Sequence, residues 1–320
     1  MQVIVRLAAA LAAASLITLA LSPAASADNH ETRKAVLVTG ASTGIGRNIA
    51  ETLAENGFFV YAGARKDNDM ESLNAIDNVM AVRLDVTKQD DIDAAVKLIE
   101  SEGRGLYGLV NNAGVAVFGG GSQLSDSDLQ WVFDVNVYGV ARVTRAFAPM
   151  IIESEGRITT TGSISGILSS PTLAAYSMSK HAVEAFTDSL AAELGPAGVA
   201  VSVVEPGNYK SRIRRTTVSR TREQLEAAGV DIDEQTDERM QQIAEGETSL
   251  KEPDDVSAAV MHFMTSEKPM RRYMVVPVQE EQAITIRKAI EELVQLNAWG
   301  PYRYDRDELV AMLDEALNKP

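Results

Sequence analysis

The chain predicts an α/β fold, a doubly wound parallel sheet covered by helices on both faces. Three observations carry that prediction. Strand-like runs, the first of them wholly apolar, alternate with helical periodicities, and a glycine-spaced turn joins that first run to the first helix. Of the 320 residues, 45% are hydrophobic, enough to bury a substantial core in one enzyme-sized domain.

The elements follow in order. Ala35-Val36-Leu37-Val38 is an apolar run that fits a strand buried on both faces. The glycine turn comes next, and residues 45–55 then carry a helical pattern that closes at Asn56-Gly57, a C-cap signal. Strands are expected near 35–39, 58–63, 79–84, 107–111, 156–161 and 198–204, with helices between them. Tyr273-Met274-Val275-Val276 reads as a last strand that Pro277 ends or confines to a sheet edge. Residues 283–296 and 306–317 read as amphipathic helices that close a pocket, form a subunit interface or pack on the same domain. No internal repeat or low-complexity tract interrupts the pattern.

The turn is Thr39-Gly40-Ala41-Ser42-Thr43-Gly44-Ile45-Gly46. Strand, glycine turn and helix together aim backbone N–H groups and a helix N-terminus at an anion such as a nucleotide pyrophosphate. Its G-x-x-x-G-x-G spacing differs from the generic G-x-G-x-x-G fingerprint, so a glycine turn without a ligand stands as the plain alternative. The second strand ends at Ala64-Arg65. An acidic residue there would bond the ribose 2′-hydroxyl of NAD, whereas an arginine accommodates the 2′-phosphate of NADP, so NADP is expected ahead of NAD.

A second constellation handles protons. Tyr176 and Lys180 are four apart in a segment whose apolar positions Ala182, Val183, Phe186, Leu190 and Leu194 recur at helical spacing, so they share one helix face. A free phenol titrates near ~10, and a neighbouring ammonium favours its phenolate and draws it toward the working range. Ser163 follows the strand-like run Ile158-Thr159-Thr160-Thr161, and a hydroxyl there can donate to a substrate oxygen as charge develops. Alone, a Y-x-x-x-K pair recurs by chance; beside a nucleotide turn it points to hydride transfer.

These pieces give the chain its resemblance to the short-chain dehydrogenase/reductase family, over about 180 residues from Lys34 to roughly Arg212. Besides the turn, Ser163 and Tyr176 to Lys180, the matching pieces are Leu84-Asp85-Val86-Thr87, Leu109-Val110-Asn111-Asn112-Ala113-Gly114, Val135-Asn136-Val137 and Pro206-Gly207. The resemblance implies a Rossmann-type sheet and a single domain, here with a C-terminal helical extension. It implies that Asp85, beside Val86, contacts the adenine and that Asn111, Asn112, Ala113 and Gly114 support the central strand beside the cofactor. It also implies that Asn136 holds a water in a relay with Lys180, and that Pro206, Gly207 and Ser211 line the nicotinamide side. Ser211 stands where many members have Thr. Phrases such as Gly105-Leu106-Tyr107-Gly108, Val183-Glu184-Ala185-Phe186 and Val204-Glu205-Pro206-Gly207 are similar to the retinol and hydroxysteroid dehydrogenase branch, which implies a lipophilic alcohol or ketone. Beyond Arg212 the chain departs from the family's shorter pattern.

Composition excludes other chemistries. There is no cysteine, hence no disulfide, thiolate metal site or cysteine nucleophile. His30, His181 and His262 are widely spaced and do not suggest a metal site; His181 reads as helix surface. A net charge of −15 makes nucleic acid a poor partner. One basic run, Lys210, Arg212, Arg214, Arg215, Arg220 and Arg222, reads either as contacts to an anionic group or as a solvated lid.

Residues 1–27 resemble a secretory signal peptide: a basic start, an apolar stretch over 7–21 and an Ala25-Ser26-Ala27 cleavage pattern. The expectation is an exported, periplasmic or membrane-associated protein, an uncleaved anchor being one alternative and a cytoplasmic location the other, with the catalytic domain over 28–320. The sequence as a whole reads as an NAD(P)-dependent oxidoreductase interconverting a carbonyl and an alcohol, assembled as a homodimer or homotetramer. A dinucleotide-binding sensor without turnover and a nucleotide-sugar epimerase or dehydratase are the rivals. The first has no use for the proton machinery, and the second usually carries G-x-x-G-x-x-G, which residues 40–46 do not fit.

Overall fold

A computed structural model describes residues 33–318. The segment read as a signal peptide, and His30, lie outside the described residues. Strand and helix alternate from the start: β1 (Ala35–Val38), α1 (Gly44–Glu55), β2 (Phe59–Ala64), α2 (Asp67–Asn74), β3 (Val79–Arg83), α3 (Gln89–Glu102) and β4 (Gly108–Asn111). Next come α4 (Asp126–Phe133), α5 (Val140–Glu153), β5 (Arg157–Thr161), α6 (Ala174–Leu194) and β6 (Ala200–Pro206). After β6 the chain is mostly helical: α7 (Ile213–Ala227), α8 (Glu234–Glu245), α9 (Asp254–Thr265), β7 (Arg272–Val275), α10 (Gln279–Asn297) and α11 (Arg306–Leu317).

The seven strands form one parallel sheet in the order β3-β2-β1-β4-β5-β6-β7. The expected strands appear within a residue or two of their anticipated ends. Pro277 follows β7, which is an edge strand as a proline there predicts.

Side-chain alternation explains why β1 is wholly apolar. Ala35 and Leu37 enter the core under α3, α5 and α6, while Val36 and Val38 enter the opposite core against α1 and α9. Ile92, Ile99, Val143 and Phe147 fill the first layer; Ile49, Leu53, Val256 and Phe263 fill the second. With both faces covered, every residue of β1, β2 and β4 is buried.

α4 and α5 are joined without a break by a π-helical stretch, Asp134–Gly139, which turns Asn136 into the protein. α10 and α11 are well-formed helices, but many apolar side chains on them stay exposed, among them Ile286, Ile290, Leu293 and Leu317. Among the described residues, no helix is long and apolar enough to cross a membrane.

Candidate active site

The strand order reverses at β1 and β4, and the loops leaving their C-terminal ends diverge to opposite sides of the sheet. A cleft of about 680 Å³ opens there. It is lined by Gly40, Ser42, Thr43, Ile45 and Gly46 of the first turn, by Arg65, Asp85 and Val86 past β2 and β3, and by Asn112, Ala113 and Gly114 past β4. Ser163, Tyr176, Lys180, Pro206, Gly207 and Ser211 complete the sequence-predicted part of its wall.

The glycine turn is held tightly from behind. Thr39 Oγ1 accepts from the backbone N–H groups of Asn112 at 2.9 Å and Ala113 at 3.0 Å, while Asn112 Nδ2 donates to the Thr39 carbonyl at 3.1 Å. Thr39 is therefore a strut beneath the cleft rather than part of its wall. Gly40 and Gly44 have φ of +63° and +58°, and a Cβ on Gly40 would meet Ala113 Cα at 2.8 Å. Gly46 lies in α1, where a Cβ would collide with Asn112 Nδ2 and the Gly40 carbonyl oxygen. Gly44 packs its open side against Ser211 and Arg212. Thr43, the N-cap of α1, makes no side-chain cap, and the first turn holds no acid. The turn's orphan N–H groups and the helix dipole therefore suit an anion of the size of a pyrophosphate.

Ser163, Tyr176 and Lys180 meet at the same cleft. Ser163 caps a short 3-10 turn, Ile164–Gly166; its Oγ accepts from Ser165 N at 3.1 Å and donates to the Pro206 carbonyl at 3.4 Å. The Ser163 hydroxyl also lies within hydrogen-bonding reach of the Tyr176 phenol. Burial pushes that phenol above its ordinary value, and the Ser163 bond only partly offsets the rise. The expected acidification by Lys180 does not appear: burial sets the direction, and Ser163 rather than Lys180 opposes it. Lys180 Nζ, 5.5 Å from the Tyr176 ring centre, turns away to donate to the Thr161 carbonyl at 2.7 Å. Burial lowers the Lys180 ammonium to about 8, with the Glu184 carboxylate opposing.

Asn136 stands behind this group. Its Nδ2 donates to the Val115 carbonyl at 2.9 Å and to Ser179 Oγ at 3.0 Å, and its Oδ1 accepts from Val115 N at 2.9 Å. The bare face of Gly114 looks toward both Asn136 Oδ1 and Lys180 Nζ. Asn111 braces the strand end by donating from Nδ2 to Thr144 Oγ1 at 2.9 Å. Arg65 is mostly exposed, with Nη1 3.9 Å from Asp85 Oδ2. His181 is exposed helix surface, its Nδ1 2.8 Å from the Ser177 carbonyl.

Other parts of the wall escape a sequence reading. α7, α8 and the segment after α8 contribute Ile213, Thr216, Thr217, Ile243, Glu247 and Leu250. α10 adds Ile284 and Glu281, whose carboxylate accepts from Asn208 N at 3.0 Å and from Asn208 Nδ2 at 2.7 Å. The space left by the absent side chain of Gly207 is taken by Glu281. These contacts join residues some seventy positions apart, and no local spacing signals them. The basic run divides in two. Lys210 pairs with Glu252, Arg215 with Glu247, Arg220 with Asp128 and Arg222 with Asp237, while Arg212 and Arg214 line the cleft.

Known proteins resemble this chain in sequence and fold. The short chain dehydrogenase family model matches residues 34–222. The mitochondrial D-beta-hydroxybutyrate dehydrogenase of Bos taurus is 34% identical over 264 residues, covering 75% of this chain and 76% of its own length. Retinol dehydrogenase 7 of Mus musculus is 35% identical over 189 residues, 58% of this chain and 60% of that protein. Among solved structures, a short chain dehydrogenase/reductase from Burkholderia phymatum in complex with NAD superposes with a TM-score of 0.70 at 27% identity, over 85% of this chain and 98% of its own. A doubly wound sheet, a glycine cradle at its switch point and these matches converge on one conclusion: the chain belongs to the short-chain dehydrogenase family.

Proposed function

We propose that this chain is an NADP-dependent oxidoreductase of a lipophilic carbonyl/alcohol pair in which Tyr176 transfers the proton. The reaction class, NAD(P)-dependent interconversion of carbonyl and alcohol, comes with family membership. One observation carries the residue roles: Ser163, Tyr176 and Lys180 open onto the same cleft as the glycine turn.

The cradle at Gly40, Ser42, Thr43, Gly44, Ile45 and Gly46 fits a pyrophosphate, because side chains are excluded there and uncapped N–H groups remain. Asp85 and Val86 would hold the adenine end; Asn112, Ala113 and Gly114 the middle; Pro206, Gly207 and Ser211 the nicotinamide side. When bound, the dinucleotide supplies or accepts the hydride. In the reducing direction Tyr176 gives its proton to the substrate oxygen, and a phenol kept protonated by burial suits that role. Ser163 donates a hydrogen bond to the same oxygen as it gains charge. Lys180 holds the ribose and favours the phenolate left behind, and Asn136 links it to solvent.

Lipophilic residues on the substrate side of the cleft, including Val115, Phe118, Leu168, Leu173 and Ile284, support an apolar substrate body. Arg65 at the end of β2, with Ala64 where a carboxylate would select NAD, supports NADP. The exposed apolar faces of α10 and α11 support a homodimer or homotetramer, which light scattering on the purified protein tests. Export with cleavage after Ala27 and a catalytic domain over 28–320 is tested by N-terminal sequencing from fractionated cells; an intact Met1 in the soluble cytosol overturns it.

The decisive experiment is a substrate-dependent NADPH assay with a carbonyl panel. Tyr176→Phe is expected to lower kcat by about 10²–10⁴ while leaving NADPH affinity near wild type. Tight NADPH binding by the wild-type protein with no turnover on any carbonyl would instead favour a sensor.

A further inference from the structure

Glu205 sits where a carboxyl group is least at home. It lies on β6, immediately before Pro206, with 2% of its surface exposed. Its Oε1 is buried without a hydrogen-bond partner, and so is Oε1 of Glu184 on α6. The two carboxyl groups are within hydrogen-bonding reach of one another. Two ionised carboxylates so placed repel, whereas one proton between them satisfies both orphan oxygens.

The charged groups facing the pair come from two further directions. On α6, Lys180 precedes Glu184 by one helical turn and Asp188 follows it by one. From the edge strand β7, Arg272 Nε donates to Glu184 Oε2 at 3.2 Å and Arg272 Nη2 to Asp188 Oδ2 at 2.7 Å. Arg271 Nη1 lies 3.8 Å from Asp188 Oδ1. Burial raises the Glu184 carboxyl as well, but Arg272 opposes that rise directly at Glu184, so the proton belongs to Glu205. Burial, then the Glu184 charge, pushes Glu205 up to about 8.

The pair touches the reacting region from behind. A Cβ on Gly162 would come within 3.2 Å of Glu184 Oε1, and one on Gly166 within 3.0 Å, so this carboxyl fills the space under both ends of the turn that carries Ser163. The Glu184 charge opposes the loss of the Lys180 proton, and Glu205 leads into Pro206, whose carbonyl accepts from Ser163.

We propose that Glu184 and Glu205 form a single-proton carboxyl pair that positions the Ser163 turn and Lys180, so that loss of this shared proton limits the enzyme on the alkaline side. Neither residue lines the cleft, so both are positioning residues. The inference rests on the reading of Ser163 and Lys180 as proton machinery, but its first test needs no turnover.

The sign follows from linkage. A carboxyl raised in the folded state contributes stability that is complete below the ordinary carboxylate range and is lost as pH rises through about 8. Lys180, lowered by burial, contributes in the opposite sense, gaining stability as pH rises above about 8, and this cancels in a comparison of variants.

Thermal unfolding of wild type and Glu205→Gln is compared from pH 6 to 9.5. Gln keeps a donor and cannot ionise, so the wild-type Tm is expected to fall relative to the variant as pH rises; parallel curves overturn the shared proton. Infrared spectroscopy of the wild type gives the same answer should the variant not fold: a buried protonated carboxyl band at neutral pH that disappears at alkaline pH is expected, and its absence at neutral pH overturns the pair. For the positioning role, Glu184→Gln is expected to move the alkaline limb of reductive kcat/KM at least about half a pH unit lower and to cut kcat about tenfold, with NADPH affinity unchanged. An unmoved limb, with only a lower Tm, reduces the pair to packing. A wild-type protein that shows the stability signature but no turnover would keep the shared proton and sink the enzymatic reading instead.

Discussion

The two halves of the cleft are built by different means. The nucleotide half is backbone: Gly40, Gly44 and Gly46 leave room because they lack side chains, and Thr39 and Asn112 lock main-chain atoms in place. The substrate half is side chain, assembled from α6, α7, α8 and α10, and its polar members answer to one another across long stretches of sequence, as Asn208 does to Glu281 and Arg214 N to Glu247. A backbone cradle has few ways to vary. A wall of side chains varies freely, and the proposed function places substrate choice there.

That contrast can be broken at three points. The largest effect is expected at Gly46, where a side chain has nowhere to go. Gly46→Val should abolish measurable dinucleotide binding and lower stability by about 1–3 kcal/mol, read by cofactor titration and thermal unfolding. Normal NADPH affinity in that variant would mean that the cradle is softer than its contacts imply. Cofactor choice is the next test, since it places a side-chain decision inside the backbone half. Ala64→Asp with Arg65→Ala should move the NADPH/NADH ratio of kcat/KM toward NADH by about tenfold or more. An unchanged ratio would refute the role given to Arg65. The smallest effect is expected at Glu281, which braces the Asn208 loop from α10. Glu281→Gln keeps its shape and one acceptor, so KM for substrate should rise about threefold with kcat nearly unchanged. A kcat loss larger than the KM change would draw α10 into the chemistry.

The difference between the halves is also a difference in legibility. Strands β1 to β6 could be bounded to within a residue or two because apolar residues such as Val36, Leu37 and Val110 recur where packed layers cover both faces of the sheet. Ser163, Tyr176 and Lys180 were legible because helix periodicity alone puts the last two on one face. The behaviour of Tyr176 was not. Its phenol rises rather than falls, since burial dominates and only Ser163 opposes it, while the Lys180 ammonium donates to the Thr161 carbonyl. The basic run 210–222 could not be parsed from composition either. Four of its cations meet carboxylates from α4, α8 and the segments just after α8, and only Arg212 and Arg214 line the cleft.

Local spacing by itself determined the sheet, the glycine cradle and the tyrosine–lysine face, because each depends on contacts a few residues long or on a periodicity of 2 or 3.6. Only the tertiary structure decided which charges are neutralised, which carboxyls share a burial site and which helices wall the substrate. Those outcomes depend on desolvation and on partners such as Glu184, Glu205 and Arg272, which come from α6, β6 and β7 and become neighbours only once the sheet has formed.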